Sequence, residues 1–169
     1  MTVTIREAGK ADCKRIGEIS MLGWQFAYQN ILPADYLAAI RLEDRAARFE
    51  RVLESGSSLL VAEEDETIVG FISGGKCRNS VHPDYDGEVY AIYLDPDHTK
   101  RGIGKLLIES LEKRLASDGM TGVVAWMLVG NEAQHFYKGL GGEKIAEDKL
   151  QIDGVSYPEI AYGWKIADR

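Results

Sequence analysis
Cysteine is scarce in this chain, and so is any excess of positive charge. Each shortage closes off a class of protein. Two cysteines, Cys13 and Cys77, occur in 169 residues, far apart and in no CxxC pair. This argues against a disulfide framework or a cysteine-type zinc site and points to a reducing, cytoplasmic setting. His82, His98 and His135 show no metal-ligand spacing, so no metal is expected. Twenty Lys and Arg against 27 Asp and Glu leave a net charge of −7. Nucleic-acid binding needs the opposite balance, because it works by counterion release, and no nucleic-acid partner is expected. The start, Met1 to Glu7, lacks a signal-peptide apolar core, and no apolar run reaches the roughly 20 residues that cross a bilayer, so no membrane partner is expected. Repeats, linkers and low-complexity stretches are missing too. Residues 1–169 therefore read as one domain, long enough for a core of its own.

Apolar spacing supplies the elements. Val3 to Arg6 reads as a first strand. Ala11 to Ala27 reads as a helix carrying Ile16, Ile19, Leu22, Trp24 and Phe26, with Asp12 near a cap. Pro33 opens a short helix over Ala34 to Ala39, and Leu42 to Leu53 reads as another. Leu59 to Glu63 and Thr67 to Gly74 form a hairpin turning at Glu64 to Glu66. After a loop over Asn79 to Gly87 comes a strand, Glu88 to Leu94. The next helix carries Ile103, Leu106, Leu107, Leu111 and Leu115 and stops near Gly119. Val123 to Val129 is nearly all apolar, as in a strand covered on both faces. Asn131 to Lys138 is a short helix with Asn131 as its cap. Glu143 to Ile152 and Ser156 to Ile166 form a last hairpin around Asp153-Gly154. The pattern is that of one α+β domain with a mixed sheet.

The most informative stretch joins the strand ending at Leu94 to the following helix. It reads Thr99-Lys100-Arg101-Gly102-Ile103-Gly104-Lys105, with no Asp or Glu between His98 and Ile108. Glycine lets backbone approach a ligand, and a first helical turn offers unpaired N–H groups with partial positive charge, so the junction suits a phosphate-bearing ligand. Leu107 occupies the third glycine position of a dinucleotide-binding loop. Leu106 follows Lys105 where a Walker loop needs Ser or Thr, and Thr99 replaces its first glycine. Neither of those loops is present.

The segment Glu88 to Leu107 resembles the acetyl-coenzyme A signature of the GNAT N-acetyltransferase superfamily, a strand followed by [Q/R]-x-x-G-x-[G/A]. Thr99 stands where that pattern has Gln or Arg. A second stretch, Asn131-Glu132-Ala133-Gln134-His135-Phe136-Tyr137-Lys138 and on to Gly142, is similar to the family's N-x-x-A-x-x-F-Y-x-x-x-G element. Gly142 stands where the family commonly has Phe. Trp24, Tyr28, Ile31-Leu32-Pro33 and Tyr36-Leu37 look like one branch of the family. The resemblance implies a three-layer fold, a mixed and mostly antiparallel sheet flanked by helices, and acetyl-CoA as cosubstrate. It implies that backbone N–H groups from Arg101 to Lys105 hold the pyrophosphate, helped by the charges of Lys100, Arg101 and Lys105 and flanked by Thr99. It places the pantetheine along Ile92, Tyr93 and Leu94, with Asn131 and Phe136 on the cofactor. Tyr137 is the implied acid for the leaving thiolate, an aromatic core pair being its plain alternative.

Glu88, at the start of the central strand, is the candidate base for the incoming amine, with a solvated strand-end carboxylate as the alternative. Between Asn79 and Thr99 there is no Lys or Arg, but Asp84, Asp86, Glu88, Asp95 and Asp97 are present. That acidic stretch fits either a mouth for a cationic amine, with Trp24, Tyr28, Tyr85 and Tyr90 about it, or a solvated loop. The expected activity is acetyl transfer to a primary amine, with a protein acetyltransferase or a non-catalytic acyl-CoA sensor as competing readings. Exposed sheet edges leave a homodimer open.

Overall fold
The computed structural model describes residues 2–79 and 82–166. In chain order the elements are β1 (Val3–Glu7), α1 (Cys13–Ala27), α2 (Ala34–Ala38), α3 (Leu42–Glu54), β2 (Ser58–Glu64), β3 (Thr67–Lys76) and β4 (Gly87–Leu94). They continue with α4 (Ile103–Ser117), β5 (Gly122–Leu128), α5 (Ala133–Gly139), β6 (Glu143–Ile152) and β7 (Val155–Lys165). Short 3-10 turns at Lys10–Asp12 and Pro96–His98 were not expected from the sequence. The strands form a seven-stranded mixed sheet in the order β1-β2-β3-β4-β5-β7-β6. β4 and β5 run parallel; β1 with β2, β2 with β3, β5 with β7 and β6 with β7 run antiparallel.

The chain divides into two compact units, residues 1–74 with 91–114, and residues 75–90 with 115–169. In the first, α1 and α3 cover one face of the strands. Cys13, Ile16 and Ile19 of α1 and Phe49 of α3 are buried with Leu59, Val61, Ile68 and Phe71. Burying such side chains contributes about 1.5–3 kcal/mol each. The second half of β4 is sandwiched. Tyr93 points to the α1 side, where Gly23 leaves room for its ring beside Phe71, while Leu94 points to Gly70 of β3 and Leu107 of α4. A Cβ at either glycine would overlap its neighbour, so these two positions set the distance from helix and sheet to β4. Phe26 and Leu106, counted above among core-facing positions, are exposed instead, Phe26 by 68%. Asp12 does not cap α1: its carboxylate takes the Gly9 N–H at 2.8 Å and the Arg6 guanidinium at 2.9 Å.

The second unit is built on β5, whose register runs Gly122↔Lys165 to Leu128↔Glu159 against β7. The β6–β7 hairpin turns at Asp153 (φ 49°) and Gly154 (φ 78°), the left-handed pair that a two-residue hairpin loop requires. Asp86 ties the start of β4 to the start of β5, accepting the N–H groups of Thr121 at 3.1 Å and Gly122 at 3.2 Å. Partial burial pushes this carboxyl up, but the two N–H groups and nearby Lys165 hold it below the usual aspartate range. The unfolded chain then binds the proton more readily than the folded one, so stability rises with pH across this window. Its contribution is full above the ordinary aspartate pKa of about 4 and is lost as pH falls through the lower folded value. Asp86→Asn is expected to flatten the acid limb of a plot of melting temperature against pH. A limb as steep as that of the wild type would remove Asp86 from the explanation.

Candidate functional site
The first unit carries the glycine-rich junction. Asp95 leaves β4 with its N–H bonded to Val69 O at 2.8 Å, and its side chain caps the turn Pro96–His98 by accepting the Asp97 N–H at 3.0 Å. Arg15 of α1 reaches the same carboxylate at 2.8 Å. Burial raises Asp95, yet the Asp97 N–H, Arg15 and His98 together keep it below the ordinary range, so it stays charged. Beyond this anchored turn the backbone takes two left-handed steps, at Lys100 (φ 62°) and Gly102 (φ 80°). No atom lies within 4 Å of a Cβ built at Gly102, so glycine serves conformation there and not space. Leu106 makes the first intrahelical bond of α4, to Gly102 O at 3.2 Å, which leaves the N–H groups of Ile103, Gly104 and Lys105 ahead of the ladder. Ile103 is buried and seats the helix, while Thr99, Lys100 and Lys105 are exposed. A concentration of main-chain donors, a positive helix end and two exposed ammonium groups fit a pyrophosphate. The Arg101 guanidinium is committed elsewhere, to Glu64 of β2 at 2.6 and 3.3 Å, so Arg101 offers its N–H from the loop while its charge is paired.

Upstream of the junction, the parallel ladder to β5 covers three pairs, Gly87↔Val123, Glu88↔Val124 and Val89↔Ala125. Ile92, Tyr93 and Leu94 lie outside it. They are half-buried, with Tyr93 and Leu94 held by the packing described above.

Glu88, Asn131, Phe136 and Tyr137 belong to the second unit. Glu88 is not the solvated carboxylate of the plainer expectation. It is 2% exposed, and Arg78 grips both of its oxygens: main-chain N–H to Oε1 at 2.9 Å, Nη2 to Oε2 at 2.6 Å and Nε to Oε2 at 3.2 Å. The guanidinium lies 4.5 Å over the Tyr90 ring, whose hydroxyl donates to Lys76 O at 2.6 Å. Burial lowers Arg78, but the hydrogen bond and the charge of Glu88, with Tyr90 and Cys77, together hold the guanidinium above its usual value. Asn131 is buried, and its Oδ1 accepts the Ala133 N–H at 2.9 Å, capping the first turn of α5. Tyr137 is buried, stacked on Trp164 (centroids 5.5 Å, 21°) and edge-on to Phe136 (5.4 Å). Its carbonyl accepts the Gly142 N–H at 2.9 Å, and a Cβ at Gly142 would stand 2.6 Å from that oxygen. This explains why no Phe occupies position 142. Glu88 and Tyr137 are linked through the sheet: Glu88 pairs with Val124, and neighbouring Val123 pairs with Trp164.

The acidic stretch is mostly spoken for. Asp86, though exposed, holds β5, Asp95 holds its turn and Glu88 holds Arg78; the carboxylates of Asp84 and Asp97 are exposed and lie outside these contacts. Trp24 and Tyr28 form a ring pair at 4.7 Å, with Arg45 over Trp24. Tyr85 packs against His82 and beneath Lys165. Two charged residues escaped the sequence reading. Arg78 sits one position before the window free of cations. Glu159 of β7 lies opposite Asp148, and burial, then that neighbour, raises its proton affinity above the ordinary glutamate range. Among the described residues no group of three or more His, Cys, Asp or Glu is placed to hold a metal ion, and no helix is long and apolar enough to cross a membrane.

Residues 24–141 match the model of the Acetyltransferase (GNAT) family. The chain is 33% identical to the uncharacterized N-acetyltransferase YuaI of Bacillus subtilis (strain 168), over 96% of this chain and 92% of that protein. It is 30% identical to the L-amino acid N-acyltransferase MnaT of Escherichia coli (strain K12), over 82% of this chain and 78% of that protein. In three dimensions it is similar to the PaiA N-acetyltransferase of Thermoplasma acidophilum solved in complex with coenzyme A. The TM-score is 0.74 at 21% identity, covering 98% of this chain and 99% of that one.

Proposed function
The chain belongs to the GNAT family of acetyltransferases and is an N-acetyltransferase; from that premise we propose that it acetylates a small cationic primary amine by direct attack within a ternary complex with acetyl-CoA. The observation that carries this reading is the main-chain cradle after β4, with Gly102 in the left-handed region and three N–H groups ahead of the α4 ladder. A small acceptor is supported by the relative named for acylating L-amino acids, and a cationic one by the exposed carboxylates of Asp84 and Asp97.

The roles divide as follows. The N–H groups of Arg101 to Lys105, with the charges of Lys100 and Lys105 and the flanking Thr99, hold the pyrophosphate. The edge of Ile92, Tyr93 and Leu94 takes the amides of the pantetheine as it would take an added strand, with Asn131 and Phe136 against the cofactor. Bound acetyl-CoA supplies an activated thioester. A main-chain N–H near Leu94 faces the developing oxyanion, a contribution of about 3 kcal/mol for a preorganised donor. The N–H of Asp95 is already given to Val69. An alkylammonium with a pKa of about 10.4 must lose a proton before it attacks, and Glu88 accepts it directly or through water. As the C–N bond forms, the C–S bond breaks; Tyr137 acts on the departing sulfur through a hydroxyl hydrogen bond that strengthens as charge grows there, and the second proton shed by the nitrogen as it becomes an amide ends on the thiolate.

A thiol-release assay with polyamines, L-amino acids, amino-bearing antibiotics and lysine or N-terminal peptides tests the acceptor class. Coenzyme A release with small amines is the expected result. Release with peptides alone would make the chain a protein acetyltransferase, and acetyl-CoA binding without release on any amine would make it a sensor. Glu88→Gln keeps the size of the side chain and one of the two Arg78 contacts, sets an NH2 against the other donor, and removes the base. It is expected to lower kcat/KM by about 10- to 100-fold and to change the acid limb of its pH profile. An unaltered profile would leave Glu88 as the partner of Arg78 and nothing more.

A further inference from the structure
The end of the β2–β3 hairpin makes contacts with the glycine-rich loop that the proposed chemistry has not used. Glu64, the last residue of β2, is 7% exposed, although carboxylates are seldom buried without a partner. Its Oε2 accepts Arg101 Nη2 at 2.6 Å and its Oε1 accepts Nη1 at 3.3 Å, with His98 Nε2 4.0 Å from Oε1. One direct contact and a bridge through Arg15 of α1 dock the chain just ahead of that loop on the same hairpin. The β2–β3 register carries one extra residue, Val69, between the pairs Ala62↔Gly70 and Glu63↔Ile68. A bulge of this kind turns carbonyls out of the ladder. Val69 O takes the Asp95 N–H at 2.8 Å, and Ile68 O takes Arg15 Nε at 3.1 Å, while the other end of that guanidinium holds Asp95.

The turn that closes the hairpin is costly. Asp65 (φ 51°) and Glu66 (φ 65°) are both left-handed; aspartate suits the first place of such a turn, but Glu66 stands where it prefers glycine. Strain of this kind persists where the surroundings over-determine a conformation, and here it brings Glu64 and Thr67 into register at the hairpin end.

We propose that Glu64 is a positioning residue for cofactor binding: it latches the Arg101 side chain so that the loop from His98 to Gly102 leads into α4 with the main-chain donors of Arg101 to Lys105 in one fixed geometry. This rests on the reading of that loop as the pyrophosphate site. The guanidinium of Arg101 is then an anchor, and the phosphates are met by backbone.

The alternative, Arg101 as a direct phosphate ligand, predicts an effect of the opposite sign. Glu64→Gln would release the guanidinium toward an anion and leave acetyl-CoA binding unchanged or tighter. The latch predicts that Glu64→Gln weakens acetyl-CoA binding by about tenfold, measured by calorimetry, with the loss appearing in the acetyl-CoA KM and not in kcat. Arg101→Met is expected to weaken binding to the same extent, and the double variant to be no worse than either single one, because both remove one interaction. Amide hydrogen exchange on the free proteins is expected to speed up at residues 98–102 in all three variants. Binding by Glu64→Gln at or above wild-type affinity would overturn the latch, as would summed losses in the double variant or unchanged exchange. Wild-type protein that fails to bind acetyl-CoA at all would overturn the functional reading and this inference with it.

Discussion
Tyr137→Phe is expected to lower kcat by about 10- to 1000-fold while acetyl-CoA affinity stays near the wild-type value. The substitution is unusually clean at this position. The ring is buried between Trp164 and Phe136, and the backbone of Tyr137 accepts the N–H groups of Gly142 and Leu140. Phe keeps both ring contacts and both main-chain bonds, so the packing survives and only an oxygen is lost. Loss of an ordinary hydrogen bond costs about 1 kcal/mol, and melting temperature reads that cost separately from turnover. A phenol near pKa 10 does not give its proton to a free thiolate near 8.5 with much driving force. The hydroxyl therefore acts by strengthening its hydrogen bond as charge grows on sulfur, and its removal shows in kcat and not in cofactor binding. Unchanged turnover would return Tyr137 to the aromatic core.

Gly104→Asp is expected to abolish acetyl-CoA binding at ordinary concentrations, a loss of about 100- to 1000-fold. Stability and binding should move in opposite directions. An aspartate in the first turn of a helix favours the fold by about 0.3–1 kcal/mol, because it faces the positive end of the helix. The same carboxylate would stand among the N–H groups of Ile103 to Lys105 that the pyrophosphate needs, filling the cradle and repelling the ligand. A variant that melts at or above the wild-type temperature yet shows no binding heat would be the strongest support for the cradle. Undisturbed binding would refute the placement.

Local chemistry was readable in the sequence. Apolar periodicity located the helices and strands to within a few residues, because each reports a face turned to a core. The Asp153-Gly154 turn followed from the conformations those residues tolerate. Long-range pairing was not readable. Glu64 and Arg101 lie 37 residues apart, and neither stands in a pattern that betrays the other. The same holds for Arg78 and Glu88 across their loop. The capped turn at Asp95-Pro96 did carry a signal, an Asx residue followed by proline at the first helical position, but three residues are too short for periodicity to register. Phe26 and Leu106 show the reverse error: helical spacing marks a face without showing how wide the covering layer is.

Thr99 gains a meaning from how the cradle is made. Its hydroxyl is exposed, 3.5 Å from Pro96 O, and the donors that follow it are amide groups that every residue except proline carries. A recognition surface of this composition is inherited as a path of the chain and not as an alphabet of side chains. Mutation can rewrite the letters at 99 and 105 without erasing it, provided the two left-handed steps and the anchors behind them persist. Specificity for the amine has no such shelter, since side chains must spell it. The two halves of one enzyme are thereby free to evolve at different speeds, with new acceptors tried against a cosubstrate grip that hardly changes.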